Sequence, residues 1–142
     1  MLRSGPKRHL IDPSLAVAAL RATPARLLRD LNLLGFLFES LVVRDLRVYA
    51  QASDAHVLQY RDNLGLEVDA IVETAEGRWA AFEVKLGPGQ VDDGAATLLK
   101  FAHRVDTGKV GQPAVLGVIV GFGYGYVRDD GVAVIPIGAL CP

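Results

Sequence analysis

Two short stretches carry an acid in the middle of apolar, period-two patterning, Leu66-Glu67-Val68-Asp69-Ala70-Ile71-Val72 and Trp79-Ala80-Ala81-Phe82-Glu83-Val84-Lys85. On strands, alternate side chains share a face, so Glu67, Asp69 and Ile71 point one way and Trp79, Ala81, Glu83 and Lys85 point one way. If those faces coincide, Asp69 and Glu83 stand side by side. Like charges that close are unfavourable unless a cation lies between them. Mg²⁺ suits such a pair, because it takes oxygen ligands, keeps several waters and is commonly held by one or two carboxylates. Lys85 follows Glu83 by two residues, about 6.6–6.8 Å along the same face, where it can meet an anion bound to the metal.

The elements that must position these groups are legible in the spacing. Thr23-Pro24 is an N-cap followed by proline at the first helical turn, so a brief helix is expected over 25–30. Leu34, Leu37, Phe38, Leu41, Val42 and Tyr49 recur at three- and four-residue spacing and predict a longer helix over about 33–50, with Glu39 at the margin of its apolar stripe. From Val57 the period becomes two, giving strands over 57–61, 66–72 and 79–85, separated by Asp62-Asn63-Leu64-Gly65 and Glu76-Gly77. Gly87-Pro88-Gly89 closes the third, and Val91, Ala95, Leu98, Ala102 and Val105 mark a second helix. A buried strand over 114–120, an aromatic-glycine turn and a last strand through Val132, Val134 and Ile135 complete the order. The pattern is α/β (α+β), with helices flanking a mixed sheet and a linker-like stretch at 106–113.

Set in that order, the residues resemble a family. Gly35-Phe36-Leu37-Phe38-Glu39 on a helix, Tyr60-Arg61-Asp62 entering a turn, Glu67-Val68-Asp69 on one strand and Glu83-Val84-Lys85 on the next are similar to the PD-(D/E)XK nuclease superfamily. More narrowly, they resemble the uncharacterised domain at the C-terminus of many bacterial and archaeal AAA-type ATPases. His9-Leu10-Ile11-Asp12-Pro13-Ser14-Leu15-Ala16 is similar to that domain's strand-turn-helix opening, and 131–140 to its closing strand. Val68 stands where the superfamily name has proline.

The resemblance implies a restriction-endonuclease-like core, αβββαβ with an extra strand, over 23–142, with 1–22 as an N-terminal segment packing on it. It implies a metal centre of Glu39, Asp69 and Glu83 for Mg²⁺ or Mn²⁺, with Lys85, Glu83 and Asp69 as the catalytic set. The implied activity is metal-dependent phosphodiester hydrolysis on nucleic acid, DNA above all, within a longer AAA-type ATPase of which this chain is a fragment or shortened relative. The alternative is a catalytically inactive nuclease-fold module that binds DNA or a partner protein. In that framework, replacing Asp69 or Glu83 by alanine is expected to abolish metal-linked stabilisation and to relieve repulsion.

Composition bounds the rest. The 142 residues are one domain's worth of chain, 51% hydrophobic and 22% charged, with a mean hydropathy of +0.28, which excludes a disordered chain. No uncharged apolar run approaches the ~18–20 residues of a membrane span, so a soluble cytoplasmic protein with no membrane partner is expected. Fifteen basic and sixteen acidic residues leave a formal charge of -1, so no global positive field holds a polyanion. The lone Cys141 excludes an internal disulfide. Gly121-Phe122-Gly123-Tyr124-Gly125-Tyr126 lacks the third glycine of a dinucleotide fingerprint, and Thr107-Gly108-Lys109-Val110 lacks the Ser or Thr of a phosphate loop. Lys100, His103, Arg44 and Arg47 read as solvated helix faces, and Glu67 with Arg61 as a cross-strand pair. Gln90, at the start of the second helix, is near enough in sequence to face the same pocket.

Overall fold

The computed structural model describes residues 8–141. Three helices come first, each started by its own side chain. Asp12 accepts from Ser14 N to cap α1 (Pro13–Ala19), Thr23 accepts from Arg26 N to cap α2 (Pro24–Arg29), and Asp30 accepts from Leu33 N to cap α3 (Leu31–Ala52). Such caps satisfy N–H groups that have no partner within the helix. Helix α3 buries Leu37, Val42, Val43, Leu46 and Ala50. The apolar stripe thus runs further round the helix than the sequence reading placed it.

Strands β1 (Ala55–Arg61), β2 (Glu67–Thr74) and β3 (Trp79–Lys85) follow as an antiparallel meander. At the first turn, Asp62 Oδ1 accepts from Leu64 N and Leu66 N, and Gly65 takes φ +84°, a left-handed conformation that costs glycine little. Helix α4 (Val91–Arg104) then crosses over so that β4 (Val115–Val120) runs parallel to β3. A one-turn helix α5 (Thr107–Val110), a two-residue strand β5 (Tyr126–Val127) and β6 (Ala133–Pro136) complete a six-stranded mixed sheet in the order β1-β2-β3-β4-β6-β5.

The sheet is covered on both faces. Val42 and Leu46 of α3 pack with Ala70, Phe82, Val84 and Ile119, while Val91, Ala95, Leu98 and Phe101 of α4 pack with Trp79, Ala81, Val118 and Val120. Gly94 lets α4 approach closely, since a Cβ there would lie 3.1 Å from Val118 and 3.4 Å from Glu83 Cβ. The Trp79 indole donates to Gly111 O and meets the Phe101 ring edge-on at 5.9 Å.

Three expectations are corrected. Two strands, not one, lie beyond the αβββαβ order, because the aromatic-glycine turn contains β5. Residues 8–12 are irregular and lead straight into α1, so the strand of the strand-turn-helix opening is absent among the described residues. The stretch 106–113 holds the single turn α5, closed by Gly111 at φ +79°. Of the segment 1–22, residues 8–22 are described, and α1 packs on α3; residues 1–7 lie outside the described residues. No helix among the described residues is long and apolar enough to cross a membrane.

Candidate active site

The β2–β3 ladder ends at Ala70–Phe82. One step further, the same register sets Asp69 opposite Glu83. There the strands no longer exchange main-chain bonds: Val84 N donates instead to Asp69 Oδ2, at 2.9 Å and buried. The carboxylate of Asp69 thus takes the place of a strand carbonyl, in the opening between β2 and β3.

A bulge in β2 prepares that opening. Leu58 pairs with Ile71 and Tyr60 with Val68, so Gln59 alone faces both Asp69 and Ala70. Gln59 Nε2 donates to Asp69 O at 3.4 Å. The extra residue also turns Val68 into the α4-side core with Ile71, while Ala70 stays on the α3 side.

Glu83 is buried beside Asp69, and its Oε2 lies 3.0 Å from Lys85 Nζ. Burial first, and the Asp69 charge second, push the Glu83 carboxyl up to about 7, against the pull of Lys85. Burial works against the Lys85 ammonium, yet Glu83, then Asp69 and Asp93, outweigh it and hold its pKa above the ordinary range. Asp93, exposed in the first turn of α4, is a member of this electrostatic group that sequence spacing did not reveal.

Glu39 is placed differently. Its Oε1 is 3.9 Å from His9 Nε2, and it borders a cavity of about 330 Å³ walled by His9, Leu10, Leu33, Phe36 and Ser40. His9 Nε2 in turn lies 2.5 Å from Gln59 Nε2, so a chain of contacts runs from Glu39 through His9 and Gln59 to the main-chain carbonyl of Asp69. Among the described residues, no three His, Cys, Asp or Glu side chains form a group able to hold an ion. In the sequence His9 belongs to the N-terminal motif; its contact with Glu39 of α3 is tertiary and has no local signature. Gln90 is exposed at the N-cap of α4. Arg61 and Glu67 are register partners, and Arg44 pairs with Asp45 at 2.8 Å.

The donor set of Asp69 and Glu83 fits a hard divalent ion. Glu83 sits beside Asp69 in a site too dry for the Glu83 carboxyl to ionise comfortably, and the structure meets its charge with one ammonium. A cation would favour the ionised form of Glu83, with Lys85 turned towards an incoming anion.

Metal-free stability should show this strain. The Glu83 carboxyl holds its proton more tightly folded, at about 7, than at its ordinary 4.5. Its contribution is therefore complete below pH 4.5 and lost as pH rises through about 7. In chelator, urea unfolding of the parent should lose up to about 3 kcal/mol across that window, relative to Glu83→Gln. Parallel pH profiles for the two chains would contradict it.

No curated protein and no solved structure matches the chain. The family model for the domain of unknown function DUF4143 matches residues 34–140, from the first turns of α3 to the residues beyond β6, and so takes in Glu39, Asp69, Glu83 and Lys85 together. The chain belongs to the DUF4143 family.

Proposed function

We propose that Asp69, Glu83 and Lys85 form the centre of a PD-(D/E)XK-type nuclease domain that hydrolyses phosphodiester bonds in nucleic acid, DNA above all, with Mg²⁺ or Mn²⁺. The observation that carries the reading is the buried pairing of two carboxylates where β2 and β3 part, with Lys85 Nζ 3.0 Å from Glu83. Asp69 and Glu83 would hold the ion through carboxylate oxygens, Asp69 kept in place by its bond from Val84 N. When bound, the ion polarises the scissile phosphate and lowers the pKa of a water. Lys85 stays protonated and offers its ammonium to the oxygens on which negative charge grows. Burial against α4 excludes bulk water and strengthens that attraction. DUF4143 domains typically occur with AAA-type ATPases, which supports a role as one module of such a protein.

A second reading, a nuclease-fold module that binds DNA or a partner without cutting, is favoured by one observation: Glu39 is engaged with His9 and does not join Asp69 and Glu83 as a third ligand among the described residues. One experiment separates them. Mg²⁺ or Mn²⁺ at about ten times its Kd should stabilise the fold by about 1.4 kcal/mol, and labelled oligonucleotides should be cut in the same buffer. Metal-linked stabilisation without cleavage selects the module; neither effect sinks the metal site.

A further inference from the structure

The aromatic-glycine loop stands directly beside Lys85. In the β3–β4 register Lys85 pairs with Val120, and the loop begins at the next residue. Gly121 N donates to Leu86 O at 3.2 Å, and a Cβ on Gly121 would lie 2.8 Å from that same carbonyl, so only glycine allows the approach. The Phe122 ring packs against Gly87, 3.1 Å from where a Cβ would be. The base of the loop is thus tied to the strand end that carries Lys85, and its rings point outward.

Those rings are costly to leave in water. Phe122 is 64% exposed, Tyr124 90% and Tyr126 51%, at every second position with glycines between. Glycine neighbours leave the Tyr124 ring, and the part of the Phe122 ring not resting on Gly87, open to a flat ligand. A chain of net charge -1, whose nearby Arg128 is held by Asp92 and Asp130, has little charge with which to grip a phosphate backbone. A strand whose phosphate met Lys85 would lie beside the base of this loop, and stacking on its rings supplies binding without charge.

We propose that Phe122 and Tyr124 form a base-stacking platform, so that the site takes single-stranded or frayed nucleic acid rather than intact duplex. The proposal rests on Asp69, Glu83 and Lys85 being a phosphodiester site. Bases inside a duplex have their faces covered by neighbours, whereas unpaired bases present them.

The test is fluorescence anisotropy in chelator, with the full chain, on labelled oligothymidine of about 20 nucleotides and a duplex of equal length. The single strand should bind more tightly than the duplex. Tyr124→Ala should weaken it about 5- to 150-fold without lowering the melting temperature, since Tyr124 touches so little of the fold. Tyr124→Trp should restore binding. Affinity should fall only gently with salt, because few phosphates are neutralised. Equal affinity of parent and Tyr124→Ala, preference for duplex, or ring-dependent binding to phosphatidylglycerol vesicles with no binding to oligonucleotide would each overturn the platform. Ring-dependent binding to a strand left intact by the parent in Mg²⁺ supports the platform and removes the hydrolysis.

Discussion

Lys85→Ala is expected to leave the chain folded and metal-binding but to reduce cleavage by at least about 10²–10³-fold, the usual cost of losing one preorganised partner for transition-state charge. The side chain is partly exposed and its ion pair with Glu83 spans 3.0 Å, so its removal opens no core cavity. Its loss does leave Glu83 facing Asp69 without a counter-charge, so the Glu83 carboxyl should move further above about 7. Metal-linked stabilisation should therefore appear at higher pH than in the parent, because the ion competes with a more tightly held proton. Thermal melts with and without Mn²⁺ across pH 6–9, paired with oligonucleotide cleavage at each pH, read both effects. A variant that cuts as fast as the parent would remove Lys85 from the chemistry.

Asp69 should respond oppositely to two substitutions that both remove its charge. Relief of repulsion alone would make Asp69→Ala more stable without metal, the expectation from sequence. The structure reverses that sign, because Asp69 Oδ2 is the acceptor for the buried Val84 N–H. Alanine strands that donor, at a cost of about 1–3 kcal/mol, whereas Asp69→Asn keeps an oxygen in reach and removes the charge. In chelator at pH 8, Asp69→Asn should unfold at a urea concentration equal to or above the parent's, and Asp69→Ala clearly below it. Neither should gain stability from Mg²⁺. Equal midpoints for the two variants would mean that the Val84 bond contributes nothing.

How much of this was legible follows from where each signal lives. The bounds of β3 and of α4 follow from period and from Gly87-Pro88-Gly89, signals internal to each segment. The face shared by Glu83 and Lys85 needed only strand alternation. Asp69 was found for a simpler reason than its actual role: alternation put it opposite Glu83, but nothing local says that its carboxylate replaces a main-chain acceptor. The bulge is equally silent, since residues 67–72 alternate as an unbroken strand would. Strand β5 escaped because two exposed residues beside three glycines have no period to read. The partnership of Glu39 with His9 joins residues thirty positions apart across α1 and α2, and the resemblance that assigned Glu39 to the metal carries no information about that contact.

The extra residue opposite Gln59 makes chain length, rather than residue type, the most constrained property of β2. A substitution at Ala70 or Val68 disturbs packing locally. A one-residue deletion between Val68 and Ile71 irons the bulge out: the Leu58–Ile71 and Tyr60–Val68 pairings can both be kept, with Val68 and Ile71 still on one face, around a single residue opposite Gln59. The one residue left there cannot be both the acid at the mouth of the fork and the small Ala70 packed on the α3 side. Divergence among chains of this fold should therefore tolerate exchange of letters in 67–74 far better than a change in their number, and length variation should gather instead in the turns at 62–65 and 75–78, where no frame depends on it.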